Sequence, residues 1–269
     1  MMLYADRPKA LSINDLISMK QNGEKISCLT AYDASFSVLL DQVGIDAILV
    51  GDSLGMVIQG HASTLPVTVD DMVYHTRCVS SVRNRAFVIA DLPFASYATP
   101  EQALENAAKL LQIGGAQMVK LEGPKLDVIQ FLVQQGIPVC GHLGLLPQSV
   151  NRIGGYKVQG RTSIQAQQLL EDALAIEQAG AGLLVLECIP ALLAEEITRQ
   201  LSIPTIGIGA GAGCDGQVLV IYDMLNISVG NRPRFSKNFM ADAVSIEAAI
   251  KQYHQAIKTL TFPAAEHCY

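Results

Sequence analysis

Short apolar runs that each end in a charged residue recur along this chain, and stretches of helical spacing separate them. LVGDSLG (49–55), VIADLPF (88–94), MVKLEG (118–123) and LVLECIP (184–190) carry the pattern, with Asp52, Asp91, Glu122 and Glu187 closing the runs. Runs this short and this uniformly apolar suit strands of a parallel sheet covered on both faces. A carboxylate at the end of such a strand survives when it is paired, hydrogen-bonded or bound to a metal. Four in series predict one site assembled at one end of one barrel.

The intervening segments read as helices. They are expected at 12–23 (Ser12 or Asn14 as N-cap, Gly23 as stop), 34–44, 69–82 (Thr68 as N-cap), 99–115, 126–136, 162–180, 191–201 and 243–260. The helix at 99–115 is the best marked: Thr99 caps it, Pro100 takes its first position, Gln102 sits near the capping-box position and Gly114 stops it. Strands are expected at 25–33, 47–53, 87–93, 118–123, 138–147, 183–190, 204–211 and 217–225, the last after a connection too short for a full helix. Strands alternating with helices build βαβ units and a parallel sheet. Eight units predict an α/β fold of the (β/α)8 TIM-barrel type, a single domain over 1–269 with an N-terminal helix and a C-terminal helix and tail. No GxGxxG or GxxxxGK[ST] follows the first strand, which argues against a doubly wound nucleotide-binding sheet, and the glycines of GIGAGAG (207–213) read as a tight turn.

Composition excludes several classes of function. Half of the residues (50%) are hydrophobic, enough for a large core, yet no run approaches the roughly 18 apolar residues of a membrane span. A formal charge of −6 argues against a nucleic-acid surface. MMLYADRPKA shows no basic stretch followed by an apolar one, so a cytoplasmic protein is expected. Its six cysteines (28, 78, 140, 188, 214 and 268) form no CxxC pair and read as reduced thiols, neither a disulfide framework nor a zinc site.

Barrel chemistry sits at the C-terminal ends of the strands, which places Asp52, Ser53, Asp91, Lys120, Glu122, His142 and Glu187 around one mouth. Asp52, Asp91 and Glu122 supply hard oxygen ligands, a set suited to Mg²⁺ over zinc; alternatively each caps a helix or meets a basic neighbour. Lys120 and Glu122, two apart on a strand, share a face. Lys120 there either binds a substrate carboxylate or pairs with Glu122 or Asp91. Glu187, walled by apolar residues, would have the raised pKa of a general base, unless it pairs with a buried arginine. His142 is open between an electrophile or hydrogen-bond donor and a structural role, and His61, His75, His254 and His267 read as surface or packing residues. The loop 54–68, with Gly55 and Gly60, is a candidate lid.

The stretches TAYDASF (30–36), VGDSLGMVIQGHASTLPVTVDDMVYHT (50–76), ADLPF (90–94), MVKLEG (118–123), VCGHLGLLPQSV (139–150), GGYKVQGR (154–161), VLECIP (185–190) and TIGIGAGAGCDGQVLV (205–220) resemble the ketopantoate hydroxymethyltransferase family, from about Ile26 to Phe239. The resemblance implies a (β/α)8 barrel with Mg²⁺ that moves a one-carbon unit from 5,10-methylenetetrahydrofolate to 2-oxoisovalerate, making ketopantoate on the route to pantothenate and coenzyme A. It implies that Asp52 and Asp91 bind the metal and Glu122 completes or orients that shell. Ser53 and Lys120, with the two aspartates, would hold the oxoacid, and Glu187 would be the base. It also implies a homodecamer of two pentameric rings. Three positions depart from the family pattern: Pro124 where a second glycine is expected after KLEG, Asn226 where a glycine is expected near the end of the eighth strand, and AEHCY in place of an EEHSF-like tail. No residue that would hold the folate is indicated. The nearest rival is a Mg-dependent 2-oxoacid lyase or mutase of the isocitrate-lyase type, but its KKCGH-like loop is missing and Cys140 is expected on a strand. A catalytically silent barrel would lack one of the four carboxylates, and all four are present.

Overall fold

Eight parallel strands close on themselves in chain order. They are β1 (Ile26–Thr30), β2 (Ala47–Val50), β3 (Phe87–Asp91), β4 (Met118–Lys120), β5 (Val139–Gly144), β6 (Leu183–Glu187), β7 (Thr205–Ile208) and β8 (Gly216–Leu219), with β8 pairing back to β1. The computed structural model describes residues 10–230 and 232–269. The first nine residues, over most of the stretch that shows no leader pattern, lie outside them. Helices α1 (Ile13–Gln21), α2 (Ala34–Val43), α3 (Leu54–Val57), α4 (Val69–Ser80), α5 (Pro100–Gln112), α6 (Leu126–Gln134), α7 (Val150–Ile153), α8 (Ser163–Gln178), α9 (Ala191–Gln200), α10 (Ile221–Met224) and α11 (Ile246–Lys258) complete the described elements together with two short 3₁₀ turns. The (β/α)8 barrel expected from the sequence is therefore the fold.

Strand residues are buried on both faces, as a parallel sheet wrapped in helices requires. Residues two apart point the same way. Leu49 and Gly51, Lys120 and Glu122, and Val185 and Glu187 accordingly line one internal cavity at the strands' C-terminal ends.

The helix starts follow local chemistry. Ser12 and Thr68 head capping boxes closed by Asp15 and Asp71. Thr99 accepts from the Gln102 backbone N–H at 3.3 Å, while the Gln102 side chain reaches past the box to the Ala98 N–H at 2.9 Å. The left-handed residue that follows α5 is Gly115, one beyond Gly114.

Several strands are shorter than their apolar runs. The eighth ends at Leu219: the Ile221 N–H turns to the Thr30 hydroxyl at 3.0 Å, and α10 begins there. The first ends at Thr30, since Asp33 leaves the sheet to cap α2 through the Phe36 N–H at 2.9 Å. The second stops at Val50, where the chain turns into α3. All six cysteines are unpaired.

The opposite end of the barrel carries its own buried acid. Asp46, just before β2 and 1% exposed, accepts from the Ser27 N–H and hydroxyl at 2.9 Å each. It also meets Lys258 at 2.8 Å and Arg85 at 3.0 Å. Burial alone would raise its pKa, but Lys258, Ser27 and Arg85 outweigh burial and hold the carboxyl below its ordinary value. A depressed folded-state pKa stabilises the fold above the unfolded value of about 3.9, and that contribution is lost as pH falls through the folded value. Asp46→Asn strips a charge from two cations that point at it. It is expected to cost about 3 kcal/mol at neutral pH, read as a lower urea midpoint, and to cost progressively less as pH drops through the carboxylate range.

Candidate active site

The described inner wall of the cavity is built from strand ends that the sequence scatters over 136 positions, from Asp52 to Glu187. Lys120 Nζ stands 2.8 Å from Asp91 Oδ1 on the neighbouring strand, where the β3–β4 register puts the two residues side by side. Asp91 Oδ2 accepts from the Asp52 N–H at 3.1 Å. That bend runs through Gly51, where an added Cβ would lie 2.8 Å from the Ser53 hydroxyl oxygen and would push that hydroxyl from its place. The Ser53 hydroxyl shares a 2.8 Å hydrogen bond with Tyr32.

Gln148 ties the acids together. Its side-chain N–H donates to Asp52 Oδ2 at 2.8 Å and to the Leu92 carbonyl at 2.9 Å, while its backbone N–H donates to Glu122 Oε2 at 3.1 Å. The Tyr97 hydroxyl donates to Gln148 Oε1 and accepts from the Glu122 N–H at 3.3 Å. These four side chains and Lys120 are all at least nine-tenths buried.

His142 stands between the two halves of the wall. Its Nδ1 lies 3.5 Å from Lys120 Nζ and 3.7 Å from Glu122 Oε1, and its Nε2 lies 3.2 Å from Glu187 Oε2. Burial, reinforced by the Lys120 charge, pushes its pKa well below the ordinary imidazole value, so His142 is neutral and offsets none of the surrounding negative charge.

Glu187 closes β6 and looks into the cavity with its side chain 14% exposed. Burial pushes its pKa up to about 8, with Lys120 lowering and Asp91 raising it. Its backbone is held from both sides. Gly144 has φ +95°, and a Cβ there would fall 2.1 Å from the Glu187 carbonyl oxygen. Cys188, the next residue, is itself left-handed at φ 47°. A non-glycine residue in that region at the end of a strand marks a backbone held against its preference, which here aims Glu187 into the mouth.

Four carboxyl groups, those of Asp52, Asp91, Glu122 and Glu187, thus face a single ammonium. Burial pulls the Lys120 pKa down, but Asp91, Glu122 and Asp52 outweigh it and keep the group charged. Asp52 and Glu122 are pushed up, first by burial; Asp91 raises both further, and Lys120 offsets part of the shift. Ionising this wall would leave a surplus of buried negative charge, which a bound cation would relieve. Among the described residues no three His, Cys, Asp or Glu side chains converge as a closed metal cage. Mg²⁺ does not need one: it commonly takes one or two carboxylates and fills its octahedron with waters and substrate oxygens. Asp52 and Asp91 fit that demand, and Glu122 stands behind them, held to Asp52 through Gln148.

Every residue that the strand-end argument nominated reaches this wall, including His142. Lys120 pairs with Asp91, and among the described residues no arginine pairs with Glu187. Segment 54–68 walls the mouth with Met56, Val57 and Thr64. His75 and His254 are spent on packing contacts, to the Tyr32 carbonyl at 2.7 Å and the Ser27 hydroxyl at 2.8 Å. Tyr97 and Gln148 carry no charge and end no apolar run, so nothing in the strand pattern pointed to them. The only trace was the polar residue that breaks GLLPQSV.

A (β/α)8 barrel whose mouth joins a buried carboxylate wall to a glutamate of raised pKa is what fold and site define, an arrangement of the enzyme class. The family profile described as Ketopantoate hydroxymethyltransferase matches residues 10–265. The chain is 56% identical over 267 residues to a 3-methyl-2-oxobutanoate hydroxymethyltransferase of Burkholderia vietnamiensis, covering 98% of each chain. It is 58% identical over 262 residues to one of Thiobacillus denitrificans, covering 96% of this chain and 99% of that one. Among solved structures it shares its fold with 2,3-dimethylmalate lyase, a PEP mutase/isocitrate lyase superfamily member, at a TM-score of 0.57 and 16% identity over 77% of this chain and 80% of that one. The chain belongs to the ketopantoate hydroxymethyltransferase family, and it is an enzyme of the hydroxymethyltransferase type.

The charge surplus has a measurable consequence. Asp52→Asn is expected to raise the melting temperature of the metal-free protein at pH 8 by a few degrees, since it removes a buried like charge. The same variant should lose most of the stabilisation that added Mg²⁺ gives the wild type. Thermal melts with and without Mg²⁺ read both effects.

Proposed function

We propose that this barrel converts 2-oxoisovalerate to ketopantoate, with Glu187 as the base that takes the C3 proton and 5,10-methylenetetrahydrofolate as the source of the one-carbon unit. The observation that carries this reading is the placement of Glu187. It is a carboxyl raised to about 8, opening into the same cavity as the Asp52–Asp91 pair and its Lys120 partner. A base for a carbon acid needs a pKa near the working pH, and burial supplies it.

Asp52 and Asp91 hold Mg²⁺, with Glu122 orienting the shell through Gln148. When bound, the metal supplies Lewis acidity toward the oxygens of a 2-oxoacid. Lys120 and the Ser53 hydroxyl hold the oxoacid's anionic end, and Tyr32 fixes the direction of that hydroxyl. Glu187 removes the proton from C3. The neutral His142, its Nε2 3.2 Å from Glu187 Oε2, adds no positive charge that would lower its basicity. The carbon–carbon bond then forms between C3 and a one-carbon unit at the oxidation level of formaldehyde. One water supplies the new hydroxyl oxygen, and tetrahydrofolate leaves.

The lyase reading meets a specific obstacle. Cys140 lies on β5, fully buried, and burial pushes its thiol up to about 12. Cys188 does line the cavity, but burial and the neighbouring Glu187 raise its thiol as well, so among the described residues of the mouth no cysteine is poised as a thiolate.

The proposal extends to a homodecamer. It is supported by apolar side chains left open on the outer helices, Ile164 on α8 at 82% and Leu192 on α9 at 81% exposure. Sedimentation of a monomer would refute it. A cytoplasmic location is consistent with six unpaired cysteines and with the lack of any described helix long and apolar enough to cross a membrane.

Proton NMR of 2-oxoisovalerate in D₂O tests the base. With Mg²⁺ and wild-type protein the C3 proton signal should disappear, faster as pH rises between about 6 and 8 because Glu187 must lose its proton to act. Glu187→Gln should slow the exchange by roughly 10²- to 10⁴-fold and abolish its pH dependence. Full exchange by the Gln variant would remove Glu187 from the role.

A further inference from the structure

The hydrogens of the network that joins the acids follow from chemistry alone. The Leu92 carbonyl can only accept, so the atom of the Gln148 side chain 2.9 Å from it is the NH₂ nitrogen. The same nitrogen donates to Asp52 Oδ2 at 2.8 Å. The far end of the amide is therefore its carbonyl oxygen, and the Tyr97 hydroxyl gives it a proton. That hydroxyl also accepts from the Glu122 N–H at 3.3 Å, which leaves its own proton for Gln148. Burial pushes the Tyr97 phenol up, so it stays a donor at neutral pH. Tyr97 is in turn fixed from outside the mouth. It follows a turn in which Ala95 is left-handed at φ 61°, a conformation that a residue with a Cβ keeps only when its surroundings impose it. Helix α5 imposes it: the Gln102 side chain donates to the Ala95 carbonyl at 3.0 Å and the Asn106 side chain to the Ser96 carbonyl at 2.7 Å. The Ser96 hydroxyl closes the turn onto the Pro93 carbonyl at 2.7 Å. Both Tyr97 and Gln148 are buried, and neither is among the described residues that line the cavity, so they reach a ligand only through the acids they hold.

We propose that Tyr97 and Gln148 are positioning residues for the cation and the oxoacid: Tyr97 locks the direction of the Gln148 amide, and the locked amide holds Asp52 by Oδ2, so that Asp52 meets an incoming cation with its other oxygen and at a spacing from Glu122 set in advance. The inference deepens the function proposed above and rests on its cation site. A reversed amide would set a carbonyl oxygen against the Leu92 carbonyl and the Asp52 carboxylate, and would turn its NH₂ toward the Tyr97 proton. The hydroxyl thus works on Asp52 without touching it. A spacing fixed beforehand suits Mg²⁺, which demands near-ideal octahedral geometry.

Calorimetric titration with Mg²⁺, alone and with 2-oxoisovalerate present, together with thermal melts of the metal-free protein, tests the lock. Tyr97→Phe keeps the ring and removes the proton that orients the amide. Gln148→Met keeps the volume and removes the amide. Each should weaken Mg²⁺ binding by roughly 10- to 100-fold, the scale of groups one step removed from a metal. Each should also lower the melting temperature, since a buried polar partner is left unpaired. The double variant separates the lock from a network that merely supports the fold. Removing both partners should return part of the lost melting temperature. Its Mg²⁺ affinity should nevertheless stay as low as that of Gln148→Met alone, because Tyr97 acts through Gln148. Single variants that melt lower yet bind Mg²⁺ as the wild type does would overturn the lock and leave the cation site standing. So would a double variant that regains Mg²⁺ affinity along with its stability, or one in which the two losses of affinity simply add. Wild-type protein that takes up no Mg²⁺, with or without the oxoacid, would bring down the cation site and the lock together.

Discussion

A lone ammonium set against four carboxyl groups, in a wall nearly closed to water, governs this molecule. In bulk solvent the imbalance would matter little. Inside the barrel, ionising all four would leave negative charge that no side chain of the described wall neutralises, and the site's properties follow from that. Lys120 stays protonated because it has no other choice among such neighbours. Asp91 is consumed in holding it, and Asp52 and Glu122 are left reluctant to ionise together. Glu187, the most open of the four, is left with a pKa raised to about 8. The helices and the barrel's register exist, from this standpoint, to keep these groups closer than they would choose to be.

The charged half of that wall was legible in the sequence because buried charge is rare and therefore conspicuous. A carboxylate that ends an apolar run stands out, and the two-residue spacing of Lys120 and Glu122 shows that they share a face without any structure. The barrel was legible for a related reason: strands covered on both faces lose the alternation of ordinary sheets. The neutral half was not legible. Gln148 and Tyr97 act through hydrogen bonds whose partners lie 96 and 25 positions away in the chain. Gly51 and Gly144 act through what they lack, and a missing Cβ is informative only once its neighbours are known. Element ends also resisted reading. The chain leaves β8 at Leu219 because Thr30 offers a hydroxyl to Ile221, a contact between opposite ends of the sequence.

Strand β2 shows how one residue type serves two ends. Asp46, at its start, meets Lys258, Arg85 and Ser27 and is content as an anion. Asp52, past its end, meets an amide and a like charge and is not. The first arrangement supports the fold, and the second leaves its carboxyl with a raised pKa at the cavity wall. Barrels separate these tasks by putting stability at the N-terminal ends of the strands and chemistry at the C-terminal ends. Here a single strand of four residues spans both.

Gln148 gives the mouth a mechanical property. Its side chain grips Asp52 and its main chain grips Glu122, so the two acids are joined through the covalent frame of one residue. A ligand that draws Asp52 aside must also tug on Glu122, and through the Tyr97 hydroxyl on the turn that precedes α5. The ends of β2 and β4 and the turn before α5 are thus fastened to one short 3₁₀ turn, so the spacing of the two acids is set by the backbone of that turn.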